Sequence, residues 1–139
     1  MLASIGYAVA YTGVGIALLT LGFVVLDLLT PGRLGRHIHE DRSVNAGIVA
    51  AAGFLAQGLV IFSAIWTNAT SGFGTALLYT VVFGVLGVVL QAVAFVVLDV
   101  LTPGKLGGHV TEVAFHPASL VLAAVQLAVA GIVVASIWP

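Results

Sequence analysis

Two carboxylates, Asp27 and Asp99, each stand three residues ahead of a Thr-Pro-Gly tripeptide, Thr30-Pro31-Gly32 in one case and Thr102-Pro103-Gly104 in the other. Proline disfavours helical backbone in the residue before it, so each Asp is predicted to lie in the last turn of a helix. An anion there meets the negative end of the helix dipole and, beside long apolar runs, risks desolvation as well. Local rules broken twice in the same way mark a place to look for strain or function. Three readings are open. Each carboxylate caps its Thr-Pro-Gly turn, accepting from loop N–H groups, the threonine hydroxyl, or Arg33 and Lys105. Alternatively the pair, with Glu40 and Glu112 nearby, forms a cation or proton site at a cytoplasmic mouth. The third reading is contact with a partner protein.

The other polar side chains are few. His37, His39, His109 and His116 fall in the same two connections as the Thr-Pro-Gly turns, and neutral imidazole is a common metal ligand. His37-Ile-His39 is too short a motif to specify a metal, and none is predicted. That no histidine lies in an apolar run argues against intramembrane bis-histidine haem ligation. Gln57, Gln91 and Gln126 each sit near the middle of such a run, where an amide needs a partner or water and must face inward. They serve either interhelical hydrogen bonds or a hydrated path. The chain has no cysteine, which excludes disulfides and thiolate chemistry. No nucleophile–base pair, phosphate loop or dinucleotide fingerprint is present, so no cofactor and no enzyme activity is predicted. A net charge of −1 gives no reason to invoke nucleic acid.

The elements that must position these residues are set by composition. Of 139 residues 61% are hydrophobic and only 6% charged, with a mean hydropathy of +1.24, so lipid rather than water is the main solvent. All Asp, Glu, Lys and Arg fall within residues 27–42 and 99–112. Between them run four stretches long enough to cross a bilayer core of about 30 Å at about 1.5 Å per residue. The predicted spans are Ile5–Leu29, Val44–Trp66, Phe73–Leu101 and Ala118–Trp138. The first run lacks a basic leading segment and is too long for a secretory signal, so it is read as a retained helix. The apolar runs do not alternate with polar residues, which favours helices over a membrane β-barrel. The fold class is therefore all-α and integral to the membrane, one domain over residues 1–139. Pairs of small residues four apart, Gly6/Ala10, Gly13/Ala17, Ala52/Ala56, Ala124/Ala128 and Gly131/Ala135, suit close helix packing.

The sequence also repeats. Shifting it by 72 residues aligns 7–66 with 79–138 at 25 identities in 60 positions, and FVVLDLLTPGRLG at Phe23–Gly35 matches FVVLDVLTPGKLG at Phe95–Gly107 in 11 of 13. His37 pairs with His109 and Glu40 with Glu112. A unit of two spans returns the chain to its starting side, so four transmembrane helices are predicted from two parallel tandem helix–loop–helix repeats, about 5–66 and 73–138. Arg33, Arg36, Arg42 and Lys105 all lie in the first and third connections. The positive-inside rule then places loops 30–43 and 102–117 in the cytoplasm and both termini outside, with Trp66 and Trp138 anchoring the outer interface. Asn68-Ala-Thr70 matches a glycosylation sequon and is read as a coincidence of a tight turn.

The doubled Asp-x-Leu-Thr-Pro-Gly element, followed by a polar loop and an Ala/Gly-rich helix, resembles the YjfL-like bacterial inner-membrane family, domain of unknown function 350, of UPF0719 type. The resemblance covers nearly the whole chain. It implies a bacterial plasma-membrane protein of two repeated helix pairs, in a family whose members are often encoded beside polyamine-synthase-like or glutathionylspermidine-synthase-like proteins. It also implies an asparagine at the position of Asn45, which becomes Pro117 in the second copy, so the halves are predicted to be functionally unequal. The leading expectation is a membrane subunit or scaffold in a homo-oligomer or larger complex, embedded in the lipid bilayer and binding a cytoplasmic protein through its loops. The alternative is a cation channel or carrier, for protons or a polyamine, with Asp27 and Asp99 at its entrance.

Overall fold

A computed structural model describes residues 1–138. Among these residues the elements are α1 (Leu2–Leu29), α2 (Leu34–His39), α3 (Val44–Thr67), α4 (Phe73–Leu101), α5 (Leu106–Val110) and α6 (Ala118–Ile137). Four of them, α1, α3, α4 and α6, are long and apolar enough to span a membrane. Valine-rich runs that would be ambiguous in water settle as helices in lipid, because only a helix satisfies its backbone within one segment. α1 starts three residues earlier than predicted, α3 extends one residue further and α6 stops one earlier. The short helices α2 and α5 went unpredicted. At six and five residues they are below the length at which apolar periodicity registers.

The helix ends follow local chemistry. α1 and α4 stop at Thr30 and Thr102, whose extended backbone (ψ 125° and 121°) is what a following proline demands. Ser43 caps α3, its Oγ accepting from the Ala46 N–H at 3.2 Å. Pro117 precedes α6 with a φ of −57° suited to a helix start. At the far end Asn68 Nδ2 donates to the Ala64 carbonyl at 2.9 Å, closing the last turn of α3, so the sequon asparagine serves as a cap.

α3 and α6 make the most extensive helix contact, and α4 packs against α1, α3 and α6. α1 packs on α3 and α4 but makes no substantial contact with α6, so the bundle has a rhombic section with α3 and α4 on its short diagonal. The side chains that pull α3 onto α4 occur once in the sequence. Gln57 Nε2 donates to the Gly84 carbonyl at 2.8 Å, and Gln91 Nε2 donates to Gln57 Oε1 at 3.0 Å. Shifted by 72, these positions are Val129, Thr12 and Leu19, which cannot knit α6 to α1 in the same way. Glycines on α4 permit close approach on two sides: a Cβ on Gly87 would lie 3.1 Å from Gln57 Oε1 of α3, and one on Gly84 would collide with the buried Leu18 side chain of α1.

The larger apolar cluster sits at the loop end, where Leu34 and Val110 of the short helices meet Ala46, Val49, Ala50, Phe95 and Leu122. A smaller one, Ala56, Val60, Ala130 and Val133, seals α3 to α6 further along. Of the predicted small-residue pairs, Ala52/Ala56 is buried, whereas Gly6, Gly13 and Gly131 have open space beyond their Cα atoms. The N-terminal half of α1 meets α4 through Tyr7, stacked on Phe73 with ring centroids 4.3 Å apart, and Tyr11, edge-on to the same ring at 5.7 Å. Gly84→Val should therefore lower the unfolding temperature in detergent, by an overpacking penalty of about 1–3 kcal/mol. Gly13→Ala should leave it unchanged; equal effects of the two would contradict this packing.

Candidate functional site

The polar residues gather where the two connections meet. In each, Pro-Gly forms a tight turn closed by a backbone bond, Arg33 N–H to the Thr30 carbonyl at 3.4 Å and Lys105 N–H to the Thr102 carbonyl at 3.1 Å. Gly32 and Gly104 take the positive φ that the third position of such a turn needs, 79° and 92°. The next residue, Arg33 or Lys105, also has a positive φ, 73° and 60°, an uncommon conformation for a non-glycine side chain. That residue stands at the N-cap of the short helix and has no side-chain oxygen with which to cap it.

The aspartates supply that oxygen. Asp27 Oδ1 accepts from the Gly35 N–H at 2.9 Å, and Asp99 Oδ1 accepts from the Gly107 N–H at 2.7 Å. Each carboxylate is thus misplaced for the helix it ends and well placed for the helix it faces, at the positive end of a new dipole. Thr30 is buried and its hydroxyl donates to the Leu26 carbonyl at 2.9 Å, while Arg33 approaches Asp27 Oδ2 at 3.7 Å with its side chain mostly in solvent. The turns also touch each other, since a Cβ on Gly107 would lie 3.1 Å from Pro31 Cδ.

Asn45 ties the two connections together. It is fully buried; its Nδ2 donates to the Glu112 and Ala114 carbonyls at 2.9 and 2.7 Å, and its Oδ1 accepts from the His116 N–H at 2.8 Å. Ser43 Oγ adds bonds to the Glu112 carbonyl at 2.7 Å and the Val110 carbonyl at 3.3 Å. One side-chain amide from the first half therefore serves three backbone groups of the second. The reverse bond cannot form, because the corresponding residue is Pro117.

The remaining candidates are distributed over the surface of this clamp. Glu40 pairs with Arg36 at 2.9 Å on α2, His37 with Asp41 at 2.7 Å, and Glu112 with His109 at 2.7 Å. Asp27 and Glu40 line one open hollow with Arg33, Arg36 and His39, so acids and cations alternate there; Asp99 and Glu112 are not part of it. Arg42 takes a positive φ of 53°. His109, Glu112 and His116 bring three metal-capable atoms within 4.8 Å of one another. The two rings, however, stack at 4.1 Å and 10°, and His116 Nδ1 accepts from the Ala118 N–H at 3.1 Å, an arrangement of ring on ring rather than of lone pairs converging on a point. Further along the bundle Gln57, Gln91 and Gln126 line a single cavity, Gln57 and Gln126 fully enclosed.

Ser43, Gly35 and Gly107 were missed as contributors. Ser43 carried a usable signal, an N-cap residue directly before an apolar run; the two glycines contribute backbone N–H groups, which leave no mark in side-chain chemistry.

Four apolar helices with a clamped polar end define a multi-pass membrane protein. The chain belongs to the family described as Domain of Unknown Function (DUF350), which it matches over residues 1–137. It is similar to the UPF0719 transmembrane protein of Mycolicibacterium paratuberculosis (strain ATCC BAA-968 / K-10), 40% identical over 129 residues that make up 93% of this chain and 85% of the relative. A UPF0719 transmembrane protein of Mycobacterium bovis (strain ATCC BAA-935 / AF2122/97) is 37% identical over 93% of this chain and 84% of its own. One of Mycobacterium tuberculosis (strain CDC 1551 / Oshkosh) matches to the same extent. No solved structure matches the chain.

Asn45→Ala should remove three hydrogen bonds and leave the Ala114 carbonyl and the His116 N–H without their partner, while the Glu112 carbonyl keeps Ser43 Oγ, at a net cost of about 2–4 kcal/mol if each lost bond is worth about 1 kcal/mol. The His116 amide should then exchange its hydrogen much faster, whereas Pro117→Asn should leave it unchanged; retained protection in Asn45→Ala would contradict the clamp.

Proposed function

We propose that this protein is a plasma-membrane scaffold subunit, derived from a duplicated helix–loop–helix unit, that presents its paired connections as one rigid platform to a protein partner in the cytoplasm. The observation that carries this reading is the Asn45 and Ser43 clamp. Loops that bind nothing are ordinarily mobile, whereas here buried hydrogen bonds fix the two against each other, and a preorganised surface loses less entropy on binding. The hollow beside Asp27 offers that partner Arg33, Arg36, His39 and Glu40, a mixed-charge patch suited to specific polar contacts. The cytoplasmic orientation rests on the confinement of all four Lys and Arg to these loops. Self-association is part of the same reading: the outer half of α1 leaves Gly6, Gly13 and Gly15 open, as small residues are at interfaces between transmembrane helices.

The alternative, a channel or carrier for protons, monovalent cations or a polyamine, draws support from the glutamine-lined cavity within the bundle. Against it, Asp27 and Asp99 each spend an oxygen on a loop N–H, and the hollow at Asp27 contains two guanidinium groups that repel a cationic substrate.

A photo-crosslinking side chain at His39 or Val113 in living cells tests the scaffold reading. It should trap one discrete protein adduct, which Arg33→Glu with Arg36→Glu abolishes while the protein remains in the membrane. Absence of any adduct, together with putrescine or potassium flux into liposomes that falls on Asp27→Asn with Asp99→Asn, would replace scaffolding by transport.

A further inference from the structure

The three glutamines come from three helices, Gln57 from α3, Gln91 from α4 and Gln126 from α6, and all line one cavity of about 30 Å³ inside the bundle. Two of them are provided for. Gln57 donates to the Gly84 carbonyl and accepts from Gln91. Gln126 is only 3% exposed, and its Nε2 has no hydrogen-bond partner in the protein. An amide donor left bare among apolar side chains is strongly unfavourable, and within a lipid-embedded bundle no bulk water is at hand to relieve it. Turning the amide over would only present an oxygen in the same place.

Glycines keep the neighbourhood of these amides uncrowded. Gly53 faces Gln126 across the α3–α6 contact, and a Cβ there would stand 2.8 Å from Gln126 Oε1. Gly22 and Gly87 flank Gln57 in the same manner, with a Cβ on each 3.8 Å from its Cγ and 3.1 Å from its Oε1. A cavity of about 10–15 Å³ accommodates one water, provided it offers two or more polar partners. At about 30 Å³ and with three glutamines in its lining, this cavity meets both conditions.

We infer that the cavity bounded by Gln57, Gln91 and Gln126 is an internal hydration site, in which one ordered water, or two, accepts from Gln126 Nε2 and joins α6 to the Gln57–Gln91 pair on α3 and α4. Water is the ligand class because it is small, serves donors and acceptors alike, and completes a network that the protein leaves one bond short. The site stands apart from the loop platform and does not depend on its function.

The test uses the full chain in lipid nanodiscs with its glutamine side-chain amides labelled with nitrogen-15. Water-to-amide magnetisation transfer should appear at Gln126 Nε2 and disappear in Gly53→Ala, which intrudes on the Gln126 amide. Gln126→Leu should lower the unfolding temperature by several degrees, since it removes one end of a satisfied bridge; in a dry cavity the same change would raise it or leave it unaltered by deleting an unpaired donor. No transfer at Gln126 in the wild-type protein, or xenon binding in the cavity as in dry apolar voids, would overturn the inference.

Discussion

The hydrocarbon core of a bilayer accepts no hydrogen bonds and donates none, and most of this structure follows from that constraint. Every polar group away from the membrane surfaces has to find its partner inside the chain. The long helices meet the demand for their own backbones. Their connections cannot, and the result is a set of side chains placed to serve loop peptide groups: Asp27 for Gly35, Asp99 for Gly107, Asn45 for Glu112, Ala114 and His116. The aspartates illustrate how a locally unfavourable residue becomes favourable one helix later. An anion at the end of α1 would weaken α1 alone, yet it caps α2, whose N-cap residue Arg33 has no oxygen to offer.

The same constraint makes the halves unequal. Asn45 reaches from the first connection to the second and Pro117 cannot reach back, so the first half holds the second. Deeper in the bundle the inequality recurs, with Gln57, Gln91 and Gly84 drawing α3 onto α4 while α1 and α6 stay apart. A sequence close to two-fold repetition thus folds into an arrangement with one tight diagonal. The halves are most alike where each serves itself, in the Asp–Thr–Pro–Gly turns, and differ where one half binds the other.

Much of this was legible in the residues. Charge-free runs defined four spans to within a few positions, since a single physical quantity, length in hydrocarbon, governs them. The Thr-Pro-Gly turns and the possibility that Asp27 and Asp99 cap them followed from proline sterics and helix dipoles. The substitution of Pro117 for Asn45 pointed to inequality but not to its cause, because the bonds of Asn45 go to backbone groups about seventy residues away. α2 and α5 are too short to show periodicity, and Ser43 follows the charged residues 40–42, which obscure its N-cap position before the apolar run. The convergence of Gln57, Gln91 and Gln126 was hidden for a related reason: they fail the 72-residue offset, so the repeat gave no hint that they share a cavity.

The central claim is that both polar connections form one clamped body at a single face of the membrane. Because the chain contains no cysteine, single cysteines at His39, Val113 and Ala69 report their own accessibility without background. Labelling intact cells with a membrane-impermeant maleimide should mark Ala69→Cys alone, and permeabilisation should expose His39→Cys and Val113→Cys together. Labelling of His39→Cys and Val113→Cys from opposite sides would contradict the account outright.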